Sequence, residues 1–485
     1  MSVPPAFCGE SWSGLACLSA PLATVFQLMS GLAKFLWRRR LAILAVSLVL
    51  VLAAVLSYNT RRQRPDPRLA AIRKAGYPVT LAELDGWYPR VPDAQNAALI
   101  YTNAFARMRY VSTDGTNRDR RQLADIKLPH RGQTFRAEDQ AELAAMIASN
   151  APALRLLYSA HNRTNCRYPL DLKLGFDVPL PHLAGVRDAV RLLSMEAVWH
   201  AANGEQEQAV HSLQTAARVA NSINAEPTLI SQLVQFSSWG IIASHLEHVL
   251  NATDFSAAQL AGLQTALANA EHPAGAAQAL AGELASGLAV FDDPKMRPRI
   301  FGDGLANGGG GTELRYRAVI SALLASGIFA KDRNYYLDAL TTNVNAAALP
   351  YPARFTTARK TVAAFNTTPS RFYIFSRMLL PALAKFYVRD ADHTTRVRVA
   401  QTVLGIERYR AAHANALPES LEQLVPDYLP QVPDDPCSGG KLRFKKLDRG
   451  YVVYGTGSDG RDDGGLEKQT GGTVANFDIT FTIER

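Results

Sequence analysis

The run LAGVRDAVRLLSMEAVWHAANGEQEQAVHSLQTAARVA, residues 183–220, sets the architecture of this chain. Val186, Val190, Leu193, Ala197 and Val198 recur at steps of three and four, which is the period of one helix face. Gly204 interrupts the pattern, and Ala209, Val210, Leu213, Ala216, Ala217 and Ala220 resume it on a second segment. Glycine enters the left-handed region without a steric penalty, so a turn is expected at Gly204. Small residues on the facing sides let the two segments approach closely. The spacing predicts an antiparallel helix pair.

The same period continues on both sides of this pair. Upstream it predicts a short helix over Leu81–Leu84, a turn over Trp87–Asp93 with Asp93 as an N-cap, and an alanine-rich helix over Ala94–Met108. Val111–Phe135 is polar and reads as a surface excursion. Helices are expected over Ala137–Ser149 and Pro152–His161, separated near Asn150. Tyr168–Pro181 contains three prolines and no helical period, and reads as an extended connector. Downstream, helices are expected over Pro227–Asn251, Ser256–Ala270, Gly275–Phe291, Glu313–Ala330, Asp332–Ala348 and Arg371–Val388, the last interrupted at Pro381, with a glycine loop over Gly302–Gly311. Gly204, Ala209, Leu213 and Ala216, with Ala197 before them, resemble one tetratricopeptide-type hairpin. A single copy equally describes a generic helix pair.

Near Asp390 the character changes. One amphipathic helix over Thr395–His413 carries Val399, Val403, Ile406 and Tyr409, and then Leu442–Phe444, Tyr451–Tyr454 and Phe477–Ile483 read as strands of a small antiparallel sheet.

The chain has 485 residues, 47% hydrophobic and 20% charged, with a mean hydropathy of −0.07. Those values exclude disorder throughout and a multi-spanning transporter. Four cysteines exclude a disulfide-rich scaffold. The net charge is +9. Much of the excess sits beside one apolar run: Lys34 and Arg38–Arg40 before it, and Arg61, Arg62, Arg64, Arg68, Arg73 and Lys74 after it. No basic stripe interleaved with aromatics occurs elsewhere, so nucleic acid is not an expected partner.

Residues 41–60 carry no charge. As a helix they would be about 30 Å long, the thickness of a bilayer's hydrocarbon core. They are expected to cross the membrane once, as an uncleaved anchor: the run is long for a signal peptide and starts far from Met1. Residues 61–80 then form a linker. Residues 1–40 form a tail expected to be cytoplasmic and partly disordered. The string MSGLAKFLWRRR from Met29 has the form of a signal-anchor start, so residues 1–28 read as an upstream extension or a disordered tail. The basic count alone favours a cytoplasmic C-terminal side, while the Arg38–Arg40 block argues the reverse.

The strongest chemical candidate is the loop Gly455–Gly465. Asp459, Asp462 and Asp463 lie within five residues among glycines. Like charges this close repel, and a hard cation with oxygen ligands relieves that, so calcium is the candidate metal at about 10⁻⁴–10⁻³ M affinity. A plain surface turn with Arg461 neutralising one carboxylate is the competing reading. His245 and His248 read as a solvated helix pair, and Cys166 and Cys437 as isolated thiols. No catalytic constellation stands out.

From Ile406-Glu407-Arg408-Tyr409 through Leu417–Leu424, Tyr428-Leu429-Pro430, Asp435-Pro436, Leu442–Phe444, Val453-Tyr454 and Gly457–Gly460, about 80 residues resemble the C-terminal half of type II secretion major pseudopilins. That resemblance implies a helix, an Asp-Pro turn, a small sheet and a calcium loop, and it supports Asp459, Asp462 and Asp463 as ligands. The aspartates are more tightly spaced than in pseudopilins. The anchor lacks their glutamate, and Trp37-Arg38-Arg39-Arg40 replaces their processing site. The Trp87–Asp93 turn, Pro169–Leu183 and Glu226–Leu233 resemble large membrane-anchored bacterial envelope proteins with the same ending, which implies an inner-membrane, mainly periplasmic location.

The expected fold is therefore mainly α. One N-terminal transmembrane helix precedes an extended, partly tetratricopeptide-like helical body over 81–390 and a pseudopilin-like α+β module over 391–485. The expected function is a single-pass envelope scaffold for interaction or assembly, with other envelope proteins as partners, beside a secretion or pilus-like system. The alternative is an envelope hydrolase. A deep pocket with convergent acid and base groups would favour the hydrolase, and a groove along the alanine-rich helices would favour the scaffold.

Overall fold

The helix pair forms where the period places it. In the computed structural model, His182–Ala202 (α6) turns at Gly204, whose φ is 74°, into Gln206–Asn221 (α7). The structure describes residues 46, 49, 66–109, 126, 128–131, 133–293, 327–367, 373–467 and 477–485. Most of 41–60 lies outside them, as do Gly302–Gly311 and much of Val111–Phe135. Among the described residues no helix is long and apolar enough to cross a membrane. The chain divides into two units, Met1–Ala71 and Ile72–Arg485; the helix Pro67–Lys74 spans the boundary, and everything else below concerns the second.

Upstream of the pair stand Pro67–Lys74 (α1), Leu81–Trp87 (α2), Ala97–Phe105 (α3), Ala137–Ser149 (α4) and Ala151–Ser159 (α5). Asp93 is not the N-cap of α3. It starts a separate 3-10 turn, and Asn96 caps α3 by accepting from the Ala98 N–H at 3.0 Å. The same Asn96 amide brackets Arg167 from both sides, accepting from its N–H at 2.9 Å and donating to its carbonyl at 2.9 Å. The cap thus also ties α3 to the connector before α6. Within that connector Leu172–Asp177 winds into a 3-10 turn rather than staying extended.

Downstream come Leu229–Ala252 (α8), Ala257–Ala268 (α9), Gly275–Asp292 (α10), Ile328–Ala347 (α11), Ala353–Thr367 (α12), Ile374–Leu379 (α13) and Pro381–Ala412 (α14). Helix α11 runs unbroken through Lys331 because Asp332 does not start a helix of its own. It caps α13 instead, accepting from the N–H groups of Phe375 at 2.8 Å and Ser376 at 3.1 Å. Helix α12 is absent from the sequence pattern. Its four threonines carry little helix preference and its apolar residues mark no clear face, and it forms against α11 and α14.

Pro381 opens a helix rather than breaking one. Proline at the first helical position loses no intrahelical bond and has its φ preset. Helix α14 then runs for 32 residues through Asp390, so the change of composition there falls inside one helix.

The sheet is antiparallel in the order β1 (Arg443–Lys446), β2 (Tyr451–Gly455), β3 (Ile479–Ile483), with Phe444 opposite Val453 and Val453 opposite Phe481. All five residues of β2 are buried. The outer edge of β3 is occupied by α8: Glu247 accepts from the Thr482 N–H at 3.1 Å, and Asn251 bonds the Thr482 carbonyl and the Glu484 N–H. Covering an edge this way removes a template for strand addition.

One hydrophobic core joins α3–α9, the C-terminal part of α14 and the sheet, while Leu84 of α2 packs with Leu170, Leu172 and Ala285 in a second cluster. The first runs from Tyr101 and Leu143 through Val190, Trp239 and Leu263 to Val403, Tyr451 and Phe481. Helix α6 lies at its centre. Fifteen of its 21 residues are buried, including Asp188, Ser194 and Glu196, so the single apolar face read from the sequence understates its burial. Glu196 is satisfied there by the Tyr158 and Ser212 hydroxyls.

Candidate functional site

A cleft of about 920 Å³ opens between α8, α9, α14, the turn before α12 and the segment 426–434 that leads to the sheet. Its frame is built from interlocked polar contacts. Tyr351 donates to Asp390 Oδ2 at 2.6 Å, and Arg354 Nη1 donates to the same oxygen at 3.2 Å. Burial pushes the Asp390 carboxyl upward, and these two partners oppose that. Across the cleft Arg398 holds Glu271 at 3.0 and 3.1 Å and reaches the Asp434 carbonyl at 2.7 Å. Arg408 donates to Gln264 Oε1 at 2.7 Å, while Gln264 Nε2 donates to the Tyr428 carbonyl at 2.9 Å. Gln401 donates to the Gln264 carbonyl at 2.9 Å.

Each of these arginines also lies over a ring: Arg354 and Arg398 over Tyr351, Arg408 over Tyr428. Guanidinium groups so fixed lose little freedom when a ligand arrives. Pro273, Pro350, Pro426, Pro430 and Pro433, with Phe236, supply rigid apolar surface between them.

His393 stands on the same wall, 4% exposed and stacked on Phe236 at 4.7 Å. Its Nε2 lies 3.1 Å from the Ala270 carbonyl, which requires that nitrogen to carry the proton. Nδ1 is then a bare acceptor, and it has no hydrogen-bond partner. Burial pushes the imidazole down to about 4, so it is neutral at ordinary pH.

The aspartate loop sits elsewhere, beside β2. Asp459 Oδ1 closes a turn by accepting from the Arg461 N–H at 3.1 Å. Asp462 pairs with Arg443 at 2.8 Å, so the neutralising cation is Arg443 and not Arg461. Asp463 Oδ2 is buried without a partner. Next to it is Asp478, 2% exposed, whose Oδ2 accepts from the Asp463 and Gly465 N–H groups at 3.1 and 2.7 Å and whose Oδ1 is also buried without a partner. Burial raises the Asp478 carboxyl, and Asp462 and Asp463 add to that. Asp478 was not among the sequence candidates. Its signal was a carboxylate at the mouth of the apolar Ile479–Ile483 strand. Among the described residues no group of three or more His, Cys, Asp or Glu is gathered as a metal cage.

Cys166 and Cys437 are unbridged, and burial pushes each thiol up to about 12. His245 and His248 are half-buried rather than solvated, and burial lowers both. Gln232, Arg408, Tyr428, Leu429 and Pro430 fall in stretches quoted above for a resemblance, but no motif joined them into a cleft, because its residues come from five segments spread over two hundred residues. No family model, curated protein or solved structure matches the chain.

Proposed function

We propose that this chain is a membrane-anchored envelope protein whose cleft grips an extended polypeptide, as an interaction or assembly scaffold. The observation that carries the reading is the cleft's lining: proline and aromatic surfaces alternating with fixed amide and guanidinium groups. Such a surface suits a chain that keeps its backbone extended and its side chains apart. Its volume is at the upper end of the range for compact small-molecule sites, roughly 300–1,000 Å³. The charged groups are already held in pairs, which favours positioning over turnover. On this reading residues 41–60 anchor the chain in the inner membrane, the bulk lies in the periplasm, and the tetratricopeptide-like hairpin and pseudopilin-like module serve as the two sides of a scaffold beside a secretion or pilus-like system. Calcium would brace the module through Asp463 and Asp478, with Asp462 and Asp459 at the rim. The buried, unpartnered carboxylate oxygens support that.

The test is selection of displayed random peptides against the full chain and against Gln401→Trp, which fills the cleft from α14. Peptides enriched on the first and lost on the second support the reading. Enrichment indifferent to the substitution, or none, defeats it.

One observation favours the hydrolase reading. His393 offers a bare Nδ1 one helical turn from Asp390. Among the described lining residues there is no serine or cysteine, and on this reading water, rather than Thr265 or Thr394, is the attacking group. Peptide or ester turnover abolished by His393→Gln would establish it.

A further inference from the structure

A second cavity, of about 860 Å³, lies on the other side of Phe236, which lines both. Three helices contribute one face each. From α6 come Arg191 and Met195; from α8 come Leu233, Ser237, Gly240, Ile241, Ser244 and His245; from α14 come Arg389 and Arg396. The spacings of four on α6, of three and four along α8 and of seven on α14 bring each set to one side of its helix. Ile126 and Leu128 close an apolar wall.

The charge of this cavity's described lining is one-sided. Three guanidinium groups line it, and none of the described lining residues is an Asp or Glu. Arg191 and Arg396 make no hydrogen bond or ion pair among the described residues, in contrast to every arginine of the first cleft. Arg389 has one long contact, 3.8 Å to Asp392 one turn along its own helix. Burial lowers the Arg396 guanidinium, Asp392 raises it and Arg389 lowers it further. Arg191 and Arg396 are half-buried and Arg389 is 65% exposed; Asp392 offsets part of their mutual repulsion, and an anion in the cavity would offset the rest. Arginine's planar fork fits phosphate or carboxylate oxygens two at a time. Ser237 and Ser244 add hydroxyl donors. Opposite them Met195, Leu233, Phe236, Ile241 and the Ile126–Leu128 wall accept an apolar group.

We infer that this cavity binds an amphipathic phosphate: a phosphoryl head held by Arg191, Arg389 and Arg396, with an apolar body against Met195, Leu233 and Phe236. The head's chemistry is common to a soluble alkyl phosphate ester and to the headgroup of a short anionic lipid. The site shares the Phe236 wall with the peptide cleft and has no lining residue in common with the aspartate loop.

The test is titration calorimetry on the full chain in an uncharged detergent. The probes are hexyl phosphate, dihexanoyl phosphatidic acid, inorganic phosphate and hexanol. Expected is binding of hexyl phosphate or the short lipid at least tenfold tighter than inorganic phosphate, with none for hexanol. Hexyl phosphate preferred assigns a soluble ester, and the short lipid preferred assigns a membrane source. Arg396→Gln should weaken the bound probe at least tenfold. Because Arg396 packs within the fold, Gly240→Leu serves as the second variant: a Cβ there meets nothing within 4 Å, so the fold keeps its packing while the cavity is filled. Binding of neither phosphate ester, or binding unchanged in Gly240→Leu and in Arg191→Gln, overturns the inference.

Discussion

Replacing Asp435 by alanine should loosen the turn that joins the segment after α14 to the sheet. Asp435 is wholly buried. Its Oδ2 accepts from the Thr456 N–H at 2.9 Å, the Thr456 hydroxyl at 2.7 Å and the Ser438 hydroxyl at 2.7 Å, and its Oδ1 accepts from the Cys437 N–H at 2.9 Å. Burial by itself would raise its carboxyl; the bonds from Ser438, Cys437 and Thr456 outweigh that and hold it below the usual carboxylate range. In the alanine variant Ser438 turns to water, since it is exposed. Thr456 has no such recourse, being fully buried at 0% exposure. Two orphaned buried donors and one weakened one amount to about 3–5 kcal/mol. The assay is alkylation at Cys437, read by mass spectrometry to separate it from the other three cysteines. Labelling passes through local opening, so that loss translates to roughly 100- to 5,000-fold faster modification at about 1.4 kcal/mol per decade. Asp435→Asn removes the same charge but keeps one acceptor oxygen, so its acceleration should be smaller. An Ala variant within threefold of wild type, or an Asn variant equal to Ala, would refute the reasoning.

Three further outcomes are expected. His393 is neutral in the folded protein and ordinary when unfolded, so it contributes full stability above about pH 6.5 and loses about 3 kcal/mol as the pH falls to about 4; His393→Phe should flatten the urea midpoint over that window relative to wild type, and an unchanged slope would count against burial as the cause. At Gly282, on α10, an added Cβ would sit 1.7 Å from the Pro227 carbonyl oxygen, a backbone atom that cannot swing away. Gly282→Ala should therefore lose about 1–3 kcal/mol despite alanine's better helix preference, and a raised melting temperature would contradict the close approach. Calcium at about 5 mM should stabilise the chain by about 1–2 kcal/mol if its affinity is in the extracellular class, with the gain abolished in Asp463→Asn and Asp478→Asn; equilibrium dialysis showing no bound calcium would remove the metal.

The aspartate loop shows how far one segment can be read. Three carboxylates among glycines announced themselves, yet Asp462 turned to Arg443 and the partner of Asp463 proved to be Asp478, fifteen residues on. Pro381 carried an ambiguous local signal, because proline stops a helix from within and starts one from its first turn. Only the packing of α14 against α9, α12 and the sheet resolved it.

The sequence by itself determined the helical body, the glycine turn at Gly204, the break at Asn150 and the three strands, because periodicity and turn chemistry act over a few residues of chain. The tertiary structure alone decided that α14 runs through Asp390, that fifteen of the 21 residues of α6 are buried, that Asp390 meets Tyr351 and Arg354, and that three arginines share one cavity without a lining acid among the described residues. Those facts depend on which distant faces come together, and that is set by burial of apolar surface across the whole core, a quantity no local window contains.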